Sequence, residues 1–331
     1  MLNSILIYNS GGGLGDAIQI LPLIDALRSE FKNAKFYYLS AHENHFNSSL
    51  KSYKTEIESL NLNIKYFGFR WWHAFIVRQR VNKNNIQSFD LILDLQSKIR
   101  NSLILKLIPH KFFISPCVNF KLSDPKIKIK KNEKNYNSIV DAVNSVFNSN
   151  CNLQDYNIKK IDNDIFLESQ KLLPNKNYVG FSITQGNVYR RKEWPINSIV
   201  SCCEKLKKIN KTPVFLIEKN KKDLKEKIQN LIPYALFPEH LSSLSSPALV
   251  TCLGTRLDFA ITIDNGIMHM LSLSKVPLIC LFGPTNTEKF APKYKNSIIL
   301  DSKKIYSTKD ISKITAEDVL QAAKHHLNFL L

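Results

Sequence analysis

The chain has 331 residues, 44% of them apolar, and a formal net charge of +18 at pH 7. That length suits two domains of about 150 residues, each able to bury its own core, and the composition fits a soluble globular protein. No apolar run approaches the ~18 residues of a membrane span, and the N-terminal run at 4–8 lacks the basic flank of a signal peptide, so a cytosolic protein is expected.

The charge predicts attraction to a polyanion. Lys, Asn and Ile are frequent throughout, so part of it is compositional background. The densest basic run, KIKIKKNEK at 126–134, lacks the aromatic residues of a platform for single-stranded nucleic acid. An anionic membrane surface and small anionic ligands therefore rank ahead of nucleic acid, for which no specific binding is expected.

In chain order, short apolar runs at 4–8, 35–40, 89–95 and 111–115 read as strands. Between the first two, Ala17, Ile20, Ile24, Leu27 and Phe31 recur at helical steps, which makes a βαβ unit. Gly11, Gly12, Gly13 and Gly15 fill the turn between that strand and helix, where bare backbone permits close approach of a ligand. A dinucleotide fingerprint would need glycine where Ile18 stands, and no Lys-Ser/Thr pair makes a Walker loop. Asp16 has two readings: a helix N-cap, which spacing alone favours, or a general base facing the ligand. Pro22, inside the first turns, predicts a kink or a short first segment.

A polar stretch rich in Asn and Lys at 121–170 separates the halves, and the boundary is placed near 165, giving domains 1–165 and 166–331. In the second, runs at 178–183, 213–217, 259–263 and 278–282 read as strands, alternating with helical segments at 195–209, 221–231, 246–256 and 266–274. Two α/β halves with mostly parallel, doubly wound sheets follow. Ligands of such sheets bind at the carboxyl ends of strands, so two facing domains imply a cleft between them.

Three stretches place chemistry at those ends. In IDNGIMHM, 263–270, Asp264 or Asn265 caps a helix, Gly266 keeps the backbone open and His269 follows one turn on, as a phosphate site requires. LFGPTN, 281–286, closes the next strand with a Gly-Pro turn. RRKEWP, 190–195, offers Arg190, Arg191 and Lys192 as cations for a diphosphate, or else a solvated basic loop anchored by Trp194. Metal sites are not expected. The six cysteines form no C-x-x-C pair and read as reduced, buried thiols, and His42 and His45 lack zincin spacing. Asp162-x-Asp164 has the form that holds a divalent ion, but no strand leads into it and it reads as a solvated loop.

As an ordered set these segments resemble glycosyltransferase family 9, the ADP-heptose:lipopolysaccharide heptosyltransferases. GLGDAIQILPLIDALR is similar to the family's Gly-Asp-x-x-x-x-x-Pro motif, DLILDLQSKIRNSLIL to its Asp-Leu-Gln-x-x-x-Arg-Ser block with Asn101 inserted, RKEWP to its Lys-x-Trp-Pro, and IDNGIMHMLSLSKVPLICLFGPTN to its Asp-Ser/Thr-Gly-Pro-x-His and Leu-Phe-Gly-Pro-Thr. The resemblance implies a GT-B fold of two Rossmann-like domains, with acceptor bound mainly by the first and nucleotide sugar by the second. It implies inverting transfer of heptose from ADP-heptose to a lipopolysaccharide core at the inner membrane face, with neither metal nor other cofactor. Carried over, Asp16 is the base and Lys192 neutralises the departing diphosphate. Thr184, Gln185, Asp264, Asn265, Gly266 and His269 line the donor site, and Gly13, Gly15, Gln96 and Arg100 the acceptor site. The chain departs from the pattern at Asn265 (usually Ser or Thr), at Ile267 (usually Pro) and after the strand at 213–217, where IEKNKK replaces a glycine-rich turn and leaves Glu218 for the acidic role. A different nucleotide-sugar donor and a noncatalytic nucleotide-binding protein of the same fold are the alternatives.

Overall fold

Buried β-branched and aromatic runs alternate with amphipathic stretches, and each run becomes a parallel strand whose crossover is helical. The computed structural model describes residues 2–11, 13–42, 44–83, 86–129, 136–185 and 192–326. The chain divides into two compact units, Met1–Tyr156 and Asn157–Leu331.

The first unit holds strands β1 (Ser4–Asn9), β2 (Lys35–Ser40), β3 (Ile57–Ser59), β4 (Phe89–Asp94) and β5 (His110–Ile114), with helices α1 (Leu14–Ile18), α2 (Leu21–Glu30), α3 (His73–Lys83), α4 (Ile99–Leu105) and α5 (Tyr136–Phe147). All strand pairs are parallel and the order is β3-β2-β1-β4-β5, with Ile5 beside both Phe36 and Leu91. Leu6, Tyr8, Phe67, Val77, Val81, Ile92 and Phe113 pack as one cluster of its core. The expected interruption at Pro22 is present: α1 stops at Ile18, and α2 restarts at Leu21 with Pro22 in its first turn, where a missing N–H leaves no bond unmade.

The second unit holds β6 (Tyr178–Ser182), β7 (Thr212–Phe215), β8 (Phe259–Ile263), β9 (Leu278–Phe282) and β10 (Ser297–Asp301), again all parallel, in the order β10-β9-β8-β6-β7. Its helices are α6 (Asn163–Leu172), α7 (Ile196–Lys208), α8 (Lys222–Leu231), α9 (Pro238–Leu241), α10 (Pro247–Gly254), α11 (Gly266–Leu273), α12 (Thr287–Phe290), α13 (Ser302–Tyr306) and α14 (Ala316–His326). Phe181, Phe215 and Phe237 stack with centroids 5.1 and 5.7 Å apart. Burying each such ring contributes ~1.5–3 kcal/mol.

Strand order fixes where ligands have room. Neighbouring loops diverge where the winding reverses, and that switch lies between β1 and β4 in the first unit and between β6 and β8 in the second.

Several expectations need correction. The boundary placed at 165 falls inside α6, and the units divide after Tyr156. The polar stretch at 121–170 is not a bare separator, because α5 buries Ile139, Val140, Ala142 and Val143 in the first unit and α6 opens the second. Asp162 and Asp164 are not loop residues either: they occupy the N-cap and first turn of α6, where carboxylates suit the helix dipole. Short β3 and half-buried β10, with α3, α5 and α6, were not expected from periodicity. Arg190, Arg191, Gly12 and the end of the basic run at 126–134 lie outside the described residues.

Candidate active site

At the β1/β4 switch the side chain of Asn9, the last residue of β1 and 4% exposed, ties three segments together. Its Oδ1 accepts from Gly11 N (3.0 Å) and from Gln96 Nε2 (2.9 Å), while its Nδ2 donates to Asp16 O (3.2 Å). Gln96 N in turn donates to Asp94 Oδ1 (2.9 Å), and Asp94 Oδ2 accepts from Ser102 Oγ (2.5 Å) and Ser115 Oγ (2.9 Å). Asp94 is fully buried, and burial pushes its carboxyl up to about 6 against the pull of those hydrogen bonds.

Asp16 is not the N-cap. Gly13 holds that position, and Asp16, at N3, accepts from Gly13 N through Oδ2 at 3.3 Å. A Cβ on Gly11 would stand 2.6 Å from Asp16 Cβ and Cγ, so at Gly11 the bare backbone makes room for the half-buried Asp16 side chain. Gly15 lies in the first turn of α1 and accepts from Gln19 N.

Arg100 braces a neighbouring loop. Its Nε donates to Gly68 O (2.9 Å), Gly68 N donates to Nδ1 of buried His73 (3.1 Å), and Tyr8 OH donates to Phe67 O (2.8 Å). Gly68 sits at φ +83°, and a Cβ there would meet Tyr8 OH at 2.6 Å, which requires glycine twice over. Burial and the charges of Arg70 and Arg100 lower the His73 pKa, keeping the ring a neutral acceptor.

The second unit gathers the expected donor residues at its own switch. Lys192 Nζ pairs with Asp264 Oδ2 and donates to the Asp264 carbonyl at 3.0 Å; the two side chains are 12% and 8% exposed. Gln185 Oε1 accepts from Lys192 N (3.1 Å), and its Nε2 donates to Glu193 Oε1 (2.7 Å). Of the two candidate caps for α11 it is Asn265 that serves: Oδ1 accepts from Met268 N (2.9 Å), while Nδ2 spans the switch to Ser182 Oγ (2.7 Å) and the carbonyl of buried Thr184 (2.8 Å). Gly266 opens α11, and His269 is buried behind it with its pKa brought down to about 4, so it is neutral at pH 7. Trp194 anchors the Lys192 segment, donating from Nε1 to Ile314 O at 2.8 Å.

Asn9 and Glu239 escaped the sequence reading. Asn9 gave only its place before the glycines as a signal. Glu239, at the start of α9, is 4% exposed and leaves Oε2 without a hydrogen-bond partner among the described residues, and burial with the charge of Glu218 pushes it up to about 7. Among the described residues, no group of three or more His, Cys, Asp or Glu is arranged to hold a metal ion.

The sequence profile of glycosyltransferase family 9 (heptosyltransferase) matches residues 78–320. The chain belongs to this family. The match takes in every expected donor residue as well as Gln96 and Arg100, while Asp16 and the glycine turn precede it. No curated protein matches the sequence. Among solved structures, this glycosyltransferase is similar to a family 9 glycosyltransferase from Veillonella parvula (16% identity, TM-score 0.68, covering 98% of this chain and 97% of that one). It is likewise similar to E. coli heptosyltransferase WaaC with ADP-2-deoxy-2-fluoro heptose (15%, 0.67, 97% and 99%) and to E. coli ADP-heptose lps heptosyltransferase II (14%, 0.65, 98% and 98%). The two α/β units are those of a GT-B glycosyltransferase.

Proposed function

We propose that this glycosyltransferase moves heptose from ADP-heptose to a lipopolysaccharide core acceptor, in one inverting displacement that needs neither metal nor other cofactor. The observation that carries the reading is the Lys192–Asp264 pair beside the N-terminus of α11, which holds an ammonium group next to first-turn backbone N–H groups at the β6/β8 switch. An ammonium group and helix N–H donors held in place there can stabilise the charge that develops on a departing diphosphate. Similar solved structures carry ADP and an ADP-heptose analogue in their names, which favours that donor.

In this reading Asp16 takes the proton of the acceptor hydroxyl as its oxygen attacks the anomeric carbon. The bond from that carbon to the diphosphate oxygen breaks, and its electron pair leaves with ADP, neutralised by Lys192 and the α11 N–H groups. Thr184, Gln185, Asp264, Asn265, Gly266 and His269 line the donor side; Gly13, Gly15, Gln96 and Arg100 line the acceptor side. The enzyme works against an anionic membrane surface on the cytoplasmic side, and no helix among the described residues is long and apolar enough to cross a membrane.

The test is a thermal-shift series with ADP, UDP and GDP, with magnesium or with a chelator, followed by transfer assays. Selective stabilisation by ADP in chelator, worth ~2.7 kcal/mol at a hundredfold excess over Kd, and loss of transfer in Asp16→Asn with ADP binding intact are expected. Preference for UDP or GDP would replace the donor, and a magnesium requirement would overturn the metal-free step.

A further inference from the structure

The loop braced by Arg100 and Gly68 carries aromatic side chains outward. Trp71 is 59% exposed, Trp72 50%, Phe75 80% and Tyr66 46%. On α3, Phe75, Arg78 and Asn82 recur at three- and four-residue steps and are all exposed, whereas His73, Val77 and Val81 face the core; exposed Trp71 and Trp72 lie in the turn just before the helix. The helix therefore shows an aromatic ring and an arginine to solvent on the side that a free surface helix makes polar, and the turn ahead of it adds two indoles.

The segment that carries those rings has charge of one sign. Between Ser59 and Phe89 the sequence has Lys65, Arg70, Arg78, Arg80 and Lys83 and neither Asp nor Glu. Lys65 Nζ lies 5.3 Å from the centroid of Tyr66, and Lys98 Nζ lies 5.6 Å from that of Phe69. The patch is also pre-set, because the bonds from Arg100, His73 and Tyr8 hold the turn from which Trp71 and Trp72 project.

We propose that Trp71, Trp72 and Phe75, flanked by Arg70 and Arg78, form a docking surface for an anionic lipid bilayer. Tryptophan and tyrosine favour the headgroup region, where an apolar ring body and a polar edge are both satisfied; phenylalanine enters the acyl boundary; each nearby Lys or Arg adds attraction to an anionic leaflet. Arg100, the residue that braces this loop, belongs to the acceptor side of the proposed site, so docking brings that side to the membrane. This last step rests on the lipid-borne acceptor proposed above; the docking itself does not, and is tested without substrate.

The chain has three tryptophans, and the third, Trp194, is buried, so exposed indole emission reports on the patch. The full chain is titrated with vesicles of phosphatidylethanolamine and phosphatidylglycerol and, in parallel, with phosphatidylcholine alone, reading Trp emission, acrylamide quenching and flotation. A blue shift, protection from acrylamide and flotation with the anionic vesicles are expected. Trp71→Ser/Trp72→Ser/Phe75→Ser weakens flotation at least about tenfold, with ADP stabilisation unchanged, and Arg70→Gln/Arg78→Gln lowers the preference for anionic over zwitterionic vesicles. Equal flotation of wild type and the triple variant would overturn the proposal. So would protection of the tryptophans that depends on protein concentration alone, which would assign the patch to a second copy, or protection by a delipidated acceptor glycan but not by vesicles. Failure of ADP binding alongside intact docking would strike the proposed donor and leave this surface standing.

Discussion

Lys192 Nζ bonds both the carboxylate and the main-chain carbonyl of Asp264, two groups of a residue 72 positions away. The contact couples the loop after β6 to the end of β8 and leaves the ammonium group charge-balanced before any ligand arrives. Lys192→Met strands a nearly buried carboxylate, and the expected cost is about 3 kcal/mol. Lys192→Met/Asp264→Asn recovers most of that, because no charge is left unpaired, while ADP binding stays weak. Urea unfolding of the wild type, both single variants and the double variant measures the coupling; additive single effects would mean the pair is not held in solution.

Gly11→Ala puts a methyl group 2.6 Å from the Asp16 side chain. A loss of about 1–3 kcal/mol is expected, together with loss of transfer and unaltered ADP affinity, since the displaced group lies in the first unit. Wild-type transfer rates in this variant would show that the Asp16 carboxylate needs no fixed position.

His269 gives the acid limb of the stability profile. Its folded pKa of about 4 lies below the unfolded value of 6.5, so the unfolded chain binds the extra proton, and stability falls as pH drops from 6.5 towards 4. The full effect is on the order of 3 kcal/mol. His269→Gln is expected to flatten this limb in urea midpoints taken across that window; an unchanged slope would refute the assignment.

Asp94 acts with the opposite sign in nearly the same window. Its carboxyl titrates at about 6 when folded against 3.8 in the reference state, so the folded chain holds the proton longer and stability falls as pH rises from about 4 to 6. Asp94→Asn is therefore expected to gain stability relative to wild type across that rise. A variant whose difference from wild type stays constant with pH would show that Asp94 ionises freely in place.

Much of the fold was legible because β1, β2 and β4 to β9 are apolar runs long enough to stand out from their surroundings. β3 is three residues long and all of β10 but Asp301 is only half-buried, so neither writes a pattern. The second-unit site could be read because Asp264, Asn265, Gly266 and His269 are consecutive or nearly so, and a helix start has its own residue code. Asn9 and Gln96 meet across 87 positions, and nothing local in either segment announces a partner. For Asp16 the N-cap reading fails on one detail of helix register: an aspartate three residues into a helix caps as well as one placed ahead of it. The exposure of Trp71 and Trp72 was equally silent, since apolar residues near a helix start normally mean core.

All six cysteines are free and buried, and burial raises the pKa of every thiol, with Cys202, Cys252 and Cys280 pushed up to about 12. Such thiols are poor nucleophiles at neutral pH, so maleimide reagents should leave the native protein unmarked. One surface cysteine engineered into each unit would then take a spin or fluorescent label without background. The separation of the two units, with and without nucleotide, becomes a distance to be read directly in solution, with every native cysteine left in place.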